Sequence, residues 1–219
     1  MSGDDLQLLR DKARDFGIDL SQYHLNLFSI YLNELKDWNQ RINLTGLKSV
    51  ERMVIELLLD SLIPAPFFPD TGRMLDVGSG AGFPGIPLKI YKPQLETHLL
   101  ETNSKKVSFL KQVIRLLGLK EIHVIKGRIE RDGDTLHPDG YHLITARALA
   151  GLHQTIAWCS PFLLPGGLLV SFLGCRAEED LKGCQQIMEE NRIFIHRKIL
   201  YVLPGKRSKR NTVIFKKRN

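Results

Sequence analysis

The stretch that most constrains the fold is MLDVGSGAGFPG at residues 74–85. A short apolar run ends in Asp76, glycines then occupy every second position, and Pro84 precedes another apolar segment. This pattern predicts a buried strand, a turn and a helix that opens at Pro84, where a missing N–H is tolerated. Glycines adopt positive φ and let a ligand lie against the main chain. The unit is typical of the nucleotide end of a doubly wound α/β sheet, where ligands bind beyond the carboxyl ends of the strands.

The spacing of the glycines narrows the choice of nucleotide. The dinucleotide fingerprint G-x-G-x-x-G requires glycine at position 83, which is Phe83 here. Instead, Asp76, Gly78, Gly80 and Gly82 form an acidic-x-Gly-x-Gly-x-Gly pattern. This pattern resembles motif I of the class I S-adenosylmethionine-dependent methyltransferases, which implies S-adenosylmethionine as the cofactor. A glycine-rich turn without a ligand is the alternative, but three alternating glycines carry an entropic cost that a plain connection rarely needs.

The segment before this loop has helical periodicity. We expect one helix over residues 4–16, a second that begins after Ser21, and a third that begins near Ser49. The prolines at 64, 66 and 69 then end the helical part. The sequence therefore predicts an N-terminal helical cap over residues 1–70, packed on the ligand edge of the sheet, and a methyltransferase domain over residues 71–219.

Strands and helices alternate after the loop. Strands are predicted at residues 97–101, 122–125, 142–145, 168–173, 193–202 and 212–216, and helices at 104–117, 151–163 and 178–190. Strands separated by helices imply parallel crossovers, whereas the last two strands, with no helix between them, imply an antiparallel hairpin. The predicted fold class is α/β: a mostly parallel, Rossmann-like sheet of the class I methyltransferase type with a C-terminal antiparallel hairpin.

The net charge of +7 is concentrated in one segment. Residues 206–219, the basic tail, hold seven lysines and arginines and no acid, whereas basic and acidic residues balance in the rest of the chain. A local cluster of cations favours a polyanionic partner. A solvated hairpin that only aids solubility is the alternative.

Composition points away from membranes, metals and disulfides. No apolar run approaches a membrane span, and the N-terminus lacks the basic-then-apolar form of a signal peptide. Cys159, Cys175 and Cys184 show no C-x-x-C spacing, and the histidines form no cluster with ligand spacing. We therefore expect a cytoplasmic protein with reduced thiols and no metal, and we expect it to be a monomer.

Motifs along the whole chain narrow the family. In order, they are WNQRINLT at 38–45, LLLDSL at 57–62, DVGSGAGFPGIPL at 76–88, KKxxFL at 105–110 and TARA at 145–148. Together they resemble the bacterial ribosomal RNA small subunit methyltransferase G family, also called glucose-inhibited division protein B. The resemblance implies methyl transfer from S-adenosylmethionine to N7 of a guanosine in the decoding-region loop of 16S rRNA, with 16S rRNA or the small ribosomal subunit as the partner. The chain departs from the family pattern at Leu57, where a histidine is usual, and at Gly174-Cys175.

Five positions besides the acidic residue and the glycines of the loop are cofactor candidates. Glu101 ends a predicted strand and can accept hydrogen bonds from both ribose hydroxyls. Ile129 and Glu130 follow the third strand, where such a sheet would place the adenine, and Phe83 can pack against the cofactor. The resemblance assigns Arg147 a place near the cofactor and the target base. Each candidate has a structural alternative. Glu101 could be an acid at a strand end, Ile129 and Glu130 a solvated turn, Phe83 a core aromatic and Arg147 a surface arginine.

The predicted RNA contacts are one asparagine and four cations of the basic tail: Asn39, Lys206, Arg207, Lys209 and Arg210. Asn39 follows Trp38 at the end of a predicted helix, so a capping role is the alternative. We expect residues 206–210 to form a mobile loop, because the apolar residues 213–215 fix only the following part of the tail in the sheet.

No catalytic acid or base is predicted. N7 of guanine already presents a lone pair, so attack on a sulfonium methyl group needs alignment and no general base. Two other function classes stay open: a small-molecule methyltransferase, and a non-catalytic RNA-binding or ribosome-assembly protein that retains the cofactor pocket.

Overall fold

The computed structural model describes residues 3–219. Its N-terminal part is helical, as predicted, and comprises α1 (Gly3–Arg14), α2 (Gln22–Asn39), α3 (Val50–Met53), a π-helical segment (Val54–Leu59), α4 (Asp60–Leu62) and a 3-10 turn (Ala65–Phe67). The Ser21 hydroxyl accepts the His24 N–H, and Nδ1 of His24 accepts the Ser21 N–H, so a reciprocal cap begins α2. The sequence did not indicate the π-helical segment.

Seven strands follow: β1 (Gly72–Val77), β2 (Leu95–Glu101), β3 (Ile122–Lys126), β4 (Tyr141–Arg147), β5 (Leu163–Leu173), β6 (Ile193–Val202) and β7 (Lys209–Lys217). They form one sheet in the order β3-β2-β1-β4-β5-β7-β6. The pairs among β1 to β5 are parallel, and β7 runs antiparallel to both β5 and β6. The predicted fold class is confirmed. The order reverses at β1, between β2 and β4, which is where ligands bind in such sheets.

The helices of the second part are α5 (Gly85–Tyr91), α6 (Ser104–Leu117), α7 (Leu152–Cys159), α8 (Ala177–Leu181) and α9 (Gln185–Glu190), with 3-10 turns at Gly133–Thr135 and Ser160–Phe162. The side chain of Asn103 caps α6, and Gly118 ends it at φ 62°. The single helix predicted at 178–190 is wrong, because the chain turns at residues 182–184 and forms two short helices. Strand β7 also begins three residues earlier than predicted, at Lys209.

The two faces of the sheet are covered by different helices. The N-terminal helices share one buried cluster with α5 and α6, whereas α7, α8 and α9 cover a second cluster. Trp38 of α2 meets Phe109 of α6 edge to face, with ring centroids 5.6 Å apart. The N-terminal helices thus pack on one face of the sheet, and they reach the ligand edge where the Tyr31 hydroxyl donates to the Ala81 carbonyl. The division of domains at residues 70 and 71 stays a prediction.

In the part of the chain that the structure describes, no helix is long and apolar enough to cross a membrane.

Candidate active site

The glycine loop connects β1 to α5 in left-handed conformations. Gly78, Gly80 and Gly82 have φ of 70°, 59° and 96°, so each needs the freedom that glycine provides. A Cβ on Gly82 would lie 2.8 Å from the Tyr31 hydroxyl, whereas one on Gly80 would have no protein atom nearer than 3.8 Å. Gly82 therefore permits packing against α2, and Gly80 leaves open space beside the main chain.

Asp76 lies beneath the loop and holds it in place. Its carboxylate accepts the Gly85 N–H at 3.1 Å and the Thr145 hydroxyl at 2.8 Å, and the side chain is 1% exposed. Burial raises the pKa of Asp76 to about 6, although hydrogen bonds from Thr145, Ser79 and Gly85 oppose the shift. Asp76, a predicted cofactor contact, therefore lies behind the loop, where it links β1 to β4 and to the start of α5.

A cavity of about 290 Å³ opens at the carboxyl ends of β1 and β2. Its walls come from the ends of these strands, the loop after β3, the turn after β4 and α7. Of the three loop glycines, Gly78 lines it; Glu101, Ile129 and Glu130 also line it. The structure therefore brings together candidates that lie far apart in the sequence.

Glu101 is fixed at the wall of this cavity. Its Oε2 accepts the Gly80 N–H at 2.8 Å, and its Oε1 accepts the Asn103 N–H at 2.8 Å and the Thr102 hydroxyl at 3.3 Å. Each carboxylate oxygen has two lone pairs, so Oε2 retains one acceptor position. The carboxylate can hold one further hydroxyl, while Thr102 occupies the position expected for a second.

The loop after β3 is shaped by Asp132. Its carboxylate accepts the Arg128 N–H at 2.7 Å, and the Asp132 N–H donates to the Arg128 carbonyl at 2.8 Å. This closure carries Ile129, which is 4% exposed, and the more exposed Glu130 to the cavity. The part of the cavity wall formed by this loop is thus apolar at Ile129 and acidic at Glu130.

Phe83 lies on the other side of the glycine loop. Its ring stacks on Tyr31 with centroids 5.1 Å apart and belongs to the buried cluster of the N-terminal helices. The residue is 7% exposed and does not line the cavity. Its position matches the alternative of a core aromatic, because α2 offers an aromatic partner that the sequence pattern could not reveal.

Arg147 lies in a second cavity, of about 360 Å³, next to the first. Ala148 lines both cavities, with φ of 50°, a conformation that a non-glycine residue adopts at a cost of about 1–3 kcal/mol. Nη2 of Arg147 pairs with Oδ2 of Asp60 at 2.9 Å and donates to the Glu56 carbonyl at 2.6 Å, whereas its buried Nη1 has no partner among the described residues. Arg147 is therefore held by the helical part, and its Nη1 is buried without a partner among the described residues.

The π-helical segment and the start of α4 supply two acids to this region. Glu56 and Asp60 have side chains that are 12% and 1% exposed. Glu56 pairs with Lys206 at 2.8 Å and with Arg52 at 2.7 Å, and these contacts, the Arg52 hydrogen bond foremost, lower the pKa of Glu56 although burial opposes them. Neither acid was among the predicted site residues.

The basic tail is only partly free for a ligand. Arg210 pairs with Asp60 at 2.7 Å, and Lys206 pairs with Glu56, whereas Arg207 and Lys209 are exposed and make no ion pair within residues 3–219. The prediction of a mobile loop over 206–210 is wrong for its last two residues. Lys209 and Arg210 pair with Val202 and Tyr201 as the first residues of β7.

Asn39 has its side chain in use within the chain. Its Oδ1 accepts the Leu44 N–H at 2.8 Å and the Thr45 N–H at 2.9 Å, and its Nδ2 donates to the Leu47 carbonyl at 3.5 Å. These bonds shape the loop that joins α2 to α3. They match the structural alternative, in which Asn39 organises the end of a helix.

Most of the other residues that line the first cavity were not predicted as site residues, and two of them carry side chains suited to a ligand. Thr102 lies beside Glu101, and Trp158 reaches the cavity from α7. Thr102 directly follows a predicted strand, so its position could have indicated a residue at the ligand edge. Trp158 lies in a helix, and helical periodicity does not indicate that its side chain reaches the cavity. Among the described residues, no group of three histidine, cysteine, aspartate or glutamate side chains could hold a metal ion.

Comparison with known proteins agrees with this geometry. A family model described as rRNA small subunit methyltransferase G matches residues 24–211. The ribosomal RNA small subunit methyltransferase G of Syntrophus aciditrophicus is 37% identical over 218 residues, which covers 96% of this chain and 89% of that protein. The enzyme of the same name from Acetivibrio thermocellus is 34% identical over 213 residues, covering 96% of this chain and 88% of that protein.

Solved structures of methyltransferases share the fold. The crystal structure of M. jannaschii TYW2 in complex with AdoMet superposes with a TM-score of 0.60 at 15% identity, over 73% of this chain and 75% of that one. At this identity the likeness shows the fold alone.

Proposed function

The chain belongs to the rRNA small subunit methyltransferase G family, and from this premise we propose that it methylates N7 of a guanosine in the decoding-region loop of 16S rRNA. The observation that carries the proposal is the cavity at the switch point of the sheet, which is lined by Gly78 and Glu101. S-adenosylmethionine is the proposed methyl donor, and the solved structure of TYW2, which shares the fold, is a complex with that compound.

The residues that line the first cavity, together with Gly80 of the adjoining loop, fit this cofactor. Gly80 leaves its main chain uncovered by side chains, and Oε2 of Glu101 retains one acceptor position for a ribose hydroxyl. Ile129 offers an apolar wall and Trp158 an aromatic one, both suited to a flat adenine. When bound, S-adenosylmethionine supplies an electrophilic sulfonium methyl group.

This chain's own contribution is alignment. The lone pair of N7 needs no general base, and the Asp60 carboxylate beside the second cavity is already engaged with Arg147, Arg210 and Tyr201. We propose that Arg147, which lines the second cavity, orients the target base, since the base has acceptor atoms and the second cavity adjoins the first at Ala148. Orientation of this kind accelerates a reaction by removing unproductive poses.

The remaining parts of the proposal concern partners and setting. We propose the small ribosomal subunit or its 16S rRNA as substrate, a monomeric cytoplasmic enzyme without a metal, and Arg207 and Lys209 as the foremost phosphate contacts. The division into a helical cap (1–70) and a methyltransferase domain (71–219) belongs to this proposal as well.

Transfer of tritiated methyl groups tests the function. Small subunits from a strain that lacks the enzyme are incubated with the protein and labelled S-adenosylmethionine, and the labelled nucleotide is mapped. We expect label at N7 of one guanosine in 16S rRNA, and none in subunits from the parent strain, in which that position is already methylated. Cofactor binding without transfer would favour a non-catalytic RNA-binding protein, and label only in small molecules would favour the other alternative.

A further inference from the structure

A further pocket lies at the amino ends of the strands, at the opposite end of the sheet from the first cavity, which we also call the cofactor cavity. This pocket has a volume of about 400 Å³, and we call it the amino-edge pocket. The residues that line it include Phe67, His142, Gly166, His196 and Lys216. His142 is the second residue of β4, whereas Arg147 at the other end of that strand adjoins the cofactor cavity. The two sites are therefore separated by the length of a strand.

The amino-edge pocket has a basic and uncompensated lining. None of the residues that line it within the described chain is acidic, and Lys216 makes no ion pair there. The nearest acid in sequence, Asp70, is paired with Lys92. A concave lining with one unpaired lysine, two imidazoles and, among the described residues, no acid favours an anionic group.

His142 is held in one orientation. Its Nδ1 accepts the Arg73 N–H at 3.1 Å, so the neutral ring carries its proton on Nε2 and offers a donor. A Cβ on Gly72 would lie 2.8 Å from the ring, which shows that the backbone of β1 packs directly against the imidazole. The donor is thus fixed before any ligand arrives.

Phe67 adds an aromatic surface to these donors. The guanidinium of Arg197 lies 4.3 Å from the ring centroid and covers one face, while the residue remains 41% exposed. An aromatic ring next to a cationic groove is the combination that binds single-stranded nucleic acid: bases stack on the ring, and phosphates pair with the cations.

We propose that the amino-edge pocket binds one nucleotide of single-stranded RNA, with the base on Phe67 and the phosphate at Lys216 and the histidines. The inference rests on the proposed function for its source of RNA, since rRNA is far larger than this domain and can contact both edges of the sheet. Contacts of this kind position the substrate and do not read its sequence.

Binding of a fluorescent single-stranded oligoribonucleotide, followed by anisotropy at several salt concentrations, tests the proposal. Phe67→Ala should weaken binding about tenfold, and Phe67→Tyr should restore it, because stacking needs the ring alone. Lys216→Gln should lower the log–log salt slope by about 0.7, since one phosphate contact is lost. Phe67→Ala also removes the ring that Arg197 packs against, and this loss could destabilise the fold. The Lys216→Gln variant leaves that contact intact and therefore tests the proposal independently.

Two matched controls come from exposed residues elsewhere. Tyr23→Ala removes an aromatic ring that is 64% exposed on α2, and Lys120→Gln removes an exposed cation. Neither should change RNA affinity. Parental affinity and salt slope in the Phe67 and Lys216 variants, or equal losses in the controls, would overturn the proposal.

The outcome separates this site from the function. If the chain methylates 16S rRNA and the Phe67 and Lys216 variants bind RNA as the parent does, the pocket proposal fails alone. If methyl transfer is absent while these variants lose RNA affinity, the pocket stands and the proposed function fails.

Discussion

The cofactor cavity and the basic tail use their charged groups in opposite ways. At the cavity, the Glu101 carboxylate accepts hydrogen bonds from the main-chain N–H groups of Gly80 and Asn103, and it retains one acceptor position for a ligand. In the tail, Lys206 and Arg210 are neutralised by Glu56 and Asp60 of the helical part. A charge near a strand end thus stayed available, whereas two of the seven cations of the basic tail hold the fold together.

Charge density alone therefore does not identify a nucleic-acid surface. The relevant cations are those without an acidic partner in the described chain, such as Arg207 and Lys209, and Lys216 in the amino-edge pocket. The following predictions test each side of this contrast.

The largest effect is expected where the tail meets the helical part. Asp60→Ala leaves Arg147, Arg210 and the Tyr201 hydroxyl without their buried partner, and should lower the free energy of unfolding by about 3–5 kcal/mol. Denaturant unfolding measures the loss. Asp70→Ala, which removes an exposed acid paired with Lys92, should leave the midpoint nearly unchanged. A small loss for Asp60→Ala would mean that the tail is not anchored there.

On the cavity side, Glu101→Ala should weaken S-adenosylmethionine binding by about 1.5–3 kcal/mol, the range for hydrogen bonds to a charged group. Calorimetry measures the affinity, and thermal unfolding separates it from any loss of stability caused by freeing the Gly80 and Asn103 N–H groups. Glu51→Ala, at an exposed position on α3, is the control. Parental affinity would assign Glu101 a purely structural role.

Beneath the loop, Asp76 should make stability depend on pH. Its pKa of about 6 lies above the ordinary 3.8, so the folded protein binds more protons than the unfolded chain between these values. The contribution of Asp76 is therefore greatest below pH 4 and is lost as the pH rises through 6. Relative to Asp76→Asn, the parent should lose about 2–2.5 kcal/mol between pH 4 and pH 7. Parallel denaturation curves over this range would contradict the burial effect.

The smallest effect is expected for four cations of the basic tail, which are changed as two pairs. Arg207→Gln with Lys209→Gln should lower the salt slope of RNA binding by about 0.7 for each contact, at unchanged stability. Lys206→Gln with Arg210→Gln should instead lower the thermal midpoint, because Glu56 and Asp60 lose cationic partners and, among the described residues, keep only Arg52 and Arg147, respectively. If both pairs changed RNA binding alike and stability not at all, the contrast between paired and free cations would be wrong.

Much of the fold followed from local sequence. The glycine pattern at 78–82 determined the left-handed turn, Ser21 and Asn103 determined helix starts, and apolar runs determined the strands, because these features depend on backbone conformation and on hydrogen bonds over a few residues. The position of Glu101 at a strand end likewise sufficed to place it at the ligand edge.

Only the tertiary structure decided which polar groups remain available. Asp60 and Arg210 are 150 residues apart in sequence, and Arg147 and Glu56 are 91 apart, so no local pattern reveals their contacts. Phe83 met Tyr31, and Phe67 met Arg197, through the same long-range packing. The physical reason is that a side chain's free capacity depends on every element packed against it, whereas the sequence displays only its own neighbours.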